Sequence, residues 1–87
     1  MSGGTVRRSV LSPGVRIETG SLVEGCVLLD DVEVGEGAVV RNCIVDKQVQ
    51  IPAGAEIGLD ATADRARFAM SDSGIVVLAK RQEFPSA

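Results

Sequence analysis

Few residues in this 87-residue chain could carry chemistry. It has two cysteines, Cys26 and Cys43, nine lysines and arginines, twelve aspartates and glutamates, and no histidine. Without histidine there is no imidazole to act as a general base near neutral pH or to ligate zinc. The cysteines stand 17 positions apart, and Ser9 stands 17 before Cys26. A position that takes Ser, Cys and Cys asks for a small side chain, so the thiols are expected to be reduced and interior, not nucleophilic. Arg65 and Arg67 in "DRARF" are candidates to meet a phosphate. No catalytic residue and no metal ligand is assigned.

The spacing of 17 extends far beyond the cysteines. Gly3, Gly20, Gly37 and Gly54 share one column, and Val6, Val23, Val40 and Ile57 another; Val10, Val27, Ile44 and Val15, Val32, Val49 behave alike. Repetition at a fixed period marks a solenoid, in which each repeat buries its apolar face against its neighbours. Seventeen residues are too few for two helices and their turns but hold three short strands and three corners. Within one repeat the aliphatic positions Ile17, Val23, Leu28 and Val34 fall at steps of six, five and six, which predicts a triangular coil.

Alternation along a strand then assigns the faces. Ser21 and Val23, Cys26 and Leu28, and Val32 and Val34 point inward, while Leu22, Val27 and Glu33 point outward. Three outer stripes follow. Arg16, Glu33, Gln50 and Arg67 are polar; Val10, Val27 and Ile44 are aliphatic; Thr5, Leu22, Val39 and Glu56 are apolar in the middle. Stacked exposed aliphatics mark a contact surface, so Val10, Val27, Ile44, Leu22 and Val39 are interface candidates, unless the C-terminal segment folds back over one stripe.

Composition bounds the rest. The net charge of −3 and the lack of Tyr and Trp argue against a nucleic-acid partner. No apolar run approaches the roughly 20 residues of a membrane span, and "MSGGTVRRSV" has no apolar signal core. The chain is expected to be soluble and cytoplasmic. Residues 1–58 read as β-helix. Residues 59–87 read as a tail with a short helix started by Asp60, a terminal strand at "IVVLA" and a frayed end "KRQEFPSA".

Hexads such as "VGEGAV" and "IPAGAEIG" resemble the hexapeptide repeats of left-handed parallel β-helices, an all-β fold. That fold is shared by acyltransferases and carbonic anhydrases, whose histidine chemistry this chain lacks, and by C-terminal domains of sugar nucleotidyltransferases. The longer string "GSLVEGCVLLDDVEVGEGAVVRNCIVDKQVQIPAGAEIG", followed by "DRARF" and "SGIVVLAK", resembles the C-terminal domain of bacterial glucose-1-phosphate adenylyltransferase (ADP-glucose pyrophosphorylase). The resemblance implies an enzyme making ADP-glucose and pyrophosphate from ATP and glucose 1-phosphate in glycogen synthesis. Its glycine-rich phosphate loop and the acidic ligands for Mg2+ would lie in an N-terminal catalytic domain that this chain does not contain. The chain alone is expected to be inactive and to need no cofactor.

The resemblance further implies a domain that supports a homo-oligomer and helps bind phosphorylated metabolite effectors at the junction with the catalytic domain. Lys47 and Lys80 match basic positions tied to effector anions; the family's further basic positions in the tail are not reproduced. Simpler readings stand beside these. Lys47 falls between Asp30 and Asp64 in its column, an acid–base–acid ladder worth about 0–1 kcal/mol per exposed pair. Arg65 and Arg67 meet either a phosphate or Asp60 and Asp64. Arg7, Arg8 and Arg41 form a small basic face or a solvated one. A stand-alone assembly module, or the C-terminal domain of a nucleotidyltransferase for another sugar, are the alternative functions.

Overall fold

The computed structural model describes residues 3–59, 61–80 and 84. Its first coil carries β1 (Thr5–Arg7), β2 (Val10–Leu11) and β3 (Arg16–Ile17), and its second β4 (Leu22–Glu24), β5 (Val27–Leu28) and β6 (Glu33–Val34). The third carries β7 (Val39–Arg41), β8 (Cys43–Val45) and β9 (Gln50–Ile51), and a fourth opens with β10 (Glu56–Ile57). Equivalent strands stack in parallel as three sheets, with Thr5 beside Leu22, Leu22 beside Val39, and Val39 beside Glu56. The register is the 17-residue period of the sequence, and the fold is a three-sided parallel β-helix.

One coil-to-coil hydrogen bond shows the repetition. The amides of Thr5, Leu22 and Val39 donate to the carbonyls of Ser21, Ala38 and Ala55 at 2.9, 2.8 and 2.8 Å. Inside, Val23, Cys26, Leu28, Val32 and Val34 are buried together with their counterparts in the next coil. Full burial of a side chain such as Leu28 stabilises by about 1.5–3 kcal/mol. Ser21, the polar member of the inward set, is satisfied because its hydroxyl donates to the Glu18 carbonyl at 2.6 Å.

The coil is left at Gly58. Its φ is +86°, and a Cβ there would collide with the Arg41 carbonyl oxygen, so glycine alone fits. The Gly58 amide donates to Asp64 Oδ2 at 2.8 Å, tying the end of the β-helix to α1 (Ala61–Arg67). Asp60, expected to start this helix, lies outside the described residues. Phe68 is buried at the foot of α1, with its ring edge-on to Phe84 at 5.7 Å.

Two short strands follow, β11 (Ala69–Met70) and β12 (Val76–Leu78), paired antiparallel. β12 then pairs in parallel with β8, placing Val76 beside Cys43, Val77 beside Ile44 and Leu78 beside Val45. It occupies the place of the fourth coil's second strand, after a detour through α1.

Three expectations are corrected. Arg67 does not extend the polar stripe, because it ends α1 and the sheet containing β3, β6 and β9 stops at β9; its side chain lies outside the described residues. Asp64 is not above Lys47: it is buried in α1 and bonded to Gly58. The end "KRQEFPSA" is not wholly free, since Phe84 packs on the core; residues 81–83 and 85–87 lie outside the described residues.

The face assignment is open to direct test. Leu28→Asp places a charge in a fully buried position, at a cost of several kcal/mol, and should abolish the β signal in circular dichroism. Val27→Asp, one residue away on the outer face, should keep that signal.

Candidate functional site

Lys47 lies in the corner between β8 and β9, exposed. This corner is held by short backbone contacts. The Lys47 amide donates to Asp46 Oδ1 at 2.7 Å, and the Gln48 amide to the Asp30 carbonyl at 2.9 Å. From above, the Asp46 amide donates to the Leu78 carbonyl at 2.9 Å. Leu78 pairs with Val45, so Lys47 and Lys80 each follow by two residues the last paired position of adjacent strands. Lys80 is likewise exposed, in the turn after β12. Among the described residues neither ammonium makes an ion pair. Asp30, at the register position of Lys47 in the coil below, and Asp46 place two carboxylates in the same corner.

Arg65 does not join this pair. It is exposed on α1, which packs against β11, and no hydrogen bond or ion pair among the described residues links it to Lys47 or Lys80. The structure thus puts Lys47 and Lys80 each two residues past a paired position of adjacent strands, leaves Arg65 on α1, and does not describe the Arg67 side chain.

A second charged cluster was not expected from the sequence. Glu24 lies between two arginines: Arg8 Nη2 approaches Oε2 at 3.1 Å, and Arg41 Nη2 approaches Oε1 at 2.9 Å. The Glu24 side chain is only 16% exposed. Hydrogen bonds from Arg8 and then Arg41 hold its carboxyl below the ordinary value. The signal was present, since Arg7, Glu24 and Arg41 share one column. Arg8 and Arg41 are therefore engaged with an internal carboxylate and are not a basic face.

The thiols are buried, and each donates to a backbone carbonyl, Cys26 Sγ to Glu24 at 3.3 Å and Cys43 Sγ to Arg41 at 3.2 Å. The neighbouring Cys26 thiol and burial push the Cys43 thiol up, away from the thiolate. Among the described residues no group of three Cys, Asp or Glu side chains is disposed to hold a metal ion. A shallow hollow beside β6 and β9 is lined by Glu18, Glu33, Gln50 and Pro52 and carries none of the basic candidates.

The aliphatic stripe is exposed as expected. Val10 is 63% and Ile44 41% exposed, with Val27 half-buried between them. The tail does not cover it. Val77 stacks on Ile44 and adds a fourth aliphatic member. Leu22 and Val39, on the adjoining sheet, are half-buried. No helix among the described residues is long and apolar enough to cross a membrane.

A family model described as GlmU-like, C-terminal hexapeptide matches residues 1–78. Curated relatives include the glucose-1-phosphate adenylyltransferase of Corynebacterium kroppenstedtii, 67% identical over 87 residues, which are all of this chain and 21% of the relative. Those of Acidothermus cellulolyticus and Parafrankia sp. are 65% and 51% identical over 75 and 81 residues, or 86% and 92% of this chain and 18% and 20% of theirs. The chain spans about a fifth of the length of these relatives.

The Glu24 cluster gives a pH-dependence with a definite sign. Its folded-state value is lowered from 4.5, so its two ion pairs stabilise the fold above that pH and are lost as pH falls through the lowered value. Thermal melts across the acid range should show Tm falling in the parent, and a shallower fall in Glu24→Gln.

Proposed function

The chain belongs to the GlmU-like C-terminal hexapeptide family, whose repeat is that of the left-handed parallel β-helix, and we propose that it is the C-terminal segment of a glucose-1-phosphate adenylyltransferase. In this reading it serves assembly and allosteric regulation of an enzyme that converts ATP and glucose 1-phosphate to ADP-glucose and pyrophosphate for glycogen synthesis in the cytoplasm. The observation that carries the reading is the likeness of the whole chain to one fifth of enzymes bearing that name. The chemistry belongs to the remaining four fifths. Mg2+ for the reaction finds no ligand set among the described residues here, and no step is assigned to it on this chain.

The regulatory part of the proposal rests on the corner of Lys47 and Lys80. Two lysines from strands far apart in sequence meet at one exposed edge, a suitable seat for the phosphate of a phosphorylated metabolite. Arg65 and Arg67 are candidates for a second contact. Lys47→Ala or Lys80→Ala in the complete enzyme removes a charge-assisted hydrogen bond worth about 1.5–3 kcal/mol. The effector concentration for half-activation should rise at least about tenfold, with the rate in the absence of effector unchanged. Unaltered activation in both variants would remove the corner from the regulatory site.

Assembly is assigned to the stripe of Val10, Val27, Ile44 and Val77, with Leu22 and Val39 beside it. A row of aliphatic side chains on a flat sheet gains by covering itself with the catalytic domain of its own subunit or with another subunit, and a homo-oligomer follows in the second case. Val27→Asp in the complete enzyme should lower the sedimentation coefficient if subunits meet there. An unchanged oligomer with unchanged thermal stability would show that the stripe is left bare.

A further inference from the structure

The functional reading above makes no use of Cys26 and Cys43, two free thiols that are each 1% exposed. They stand one residue before Val27 and Ile44, which pair in register, so they are neighbours across the second and third coils. Adjacent strands lie about 4.7–4.9 Å apart, within the roughly 4.4–6.8 Å that a disulfide spans between Cα atoms. Cys26 Sγ lies 3.3 Å from the carbonyl oxygen of Glu24 in its own coil and 3.4 Å from that of Val40 in the next, so this sulfur sits in the seam between the coils. Cys43 Sγ lies 3.2 Å from the carbonyl oxygen of Arg41, the register partner of Glu24. The hydrogen bond shared with Cys26, and then burial, push the Cys43 thiol up, while the same hydrogen bond holds the Cys26 thiol down. Cys26 is thus the sulfur that ionises first, and Cys43 the one that keeps its proton.

We propose that Cys26 and Cys43 form an oxidation-responsive staple: reduced at rest, they close to a disulfide that ties the second coil to the third when a low-molecular-weight disulfide accumulates. With glutathione disulfide as the oxidant, the Cys26 thiolate attacks one of its sulfurs, the S–S bond breaks, and one glutathione leaves as its thiol. Cys43 then gives up its proton and attacks the Cys26 sulfur of the mixed disulfide, expelling the second glutathione. The two electrons pass to the oxidant, and the two thiol protons end on the two glutathiones. Burial sets the pace, because the oxidant meets Cys26 only when the seam opens locally. The seam is a place where opening is easy. β5 and β8 have two and three residues, and the corner residues just before the two thiols, Gly25 and Asn42, hold positive φ. Once formed, the bond closes a loop between positions 17 apart and restricts the unfolded chain. It also anchors β8, the strand on which β12 docks.

The test is incubation of the folded complete enzyme with glutathione disulfide, followed by acid quenching, alkylation, tryptic digestion and mass spectrometry. Cleavage after Arg16, Arg41 and Lys47 places Cys26 in peptide 17–41 and Cys43 in peptide 42–47. Closure should yield these two peptides joined, lighter by two hydrogens than their sum, and dithiothreitol should release both. In a mixture of isotope-labelled and unlabelled protein, each joined pair should be wholly labelled or wholly unlabelled. The column already takes Ser9, so serine variants keep the fold. Cys43→Ser should stop at a glutathione adduct on Cys26, and Cys26→Ser should leave Cys43 unmodified. Amide exchange across residues 22–45 should slow at least about tenfold on closure, with no such change in Cys43→Ser. Joined peptides that are absent, or that form only after denaturation, would overturn the proposal. So would pairs of mixed label, an adduct on Cys43 in place of Cys26, or closure without slower exchange. The readout is a bond and its effect on exchange, so a failure of the effector or assembly reading leaves it intact.

Discussion

Each coil changes direction three times in 17 residues, and every change passes through a residue with positive φ. At one corner these are Gly20, Gly37 and Gly54, with φ between 72° and 76°. At another they are Gly14, Asp31 and Gln48, and at the third Arg8, Gly25 and Asn42. For a residue with a Cβ this conformation costs about 1–2 kcal/mol. The cost is tolerated because the corner is held from both sides. The amides of Gly25 and Asn42 donate to the carbonyls of Arg7 and Glu24 in the coil below, so a strained residue in one layer is locked by the layer beside it.

From that constraint the remaining architecture follows. Corners this close limit strands to two or three residues, too short to pair stably alone, so stability comes from stacking. Stacking in register makes each interior column a single environment, which is why Ser21 aligns with Ala38, and Cys26 with Cys43. The same rule acts outside. Charges recur in columns too: Glu24 and Arg41 stack in register and pair, and Arg8, one residue past the column position of Arg7, supplies the second cation on Glu24.

The tail obeys the same physics despite breaking the period. α1 and β11 are inserted after Gly58, yet β12 returns to the vacant place on β8 because that edge offers both unpaired backbone and an open interior. Val76 and Leu78 fill the columns of Cys43 and Val45, and Val77 falls on the outer stripe beside Ile44. Phe68 and Phe84 then close the last layer. The tail is therefore a lid and a surface at once, completing the core at one end and lengthening the aliphatic stripe.

Period, register, face assignment and the burial of both cysteines were legible in the sequence by itself, because a solenoid makes every structural position a sequence column 17 residues from the next. The aliphatic stripe and the glycine column at one corner were legible for the same reason. The corner at Arg8, Gly25 and Asn42 was missed, since Arg carries no turn signal. Tertiary structure alone decided where the chain went after Gly58. With the period interrupted, Asp64 and Arg67 fall in columns they do not occupy, and no spacing rule foretells that Lys80 returns beside Lys47. That placement is set by pairing of β12 with the free edge of β8 and by the bond from Gly58 to Asp64. These contacts join residues that no local pattern relates.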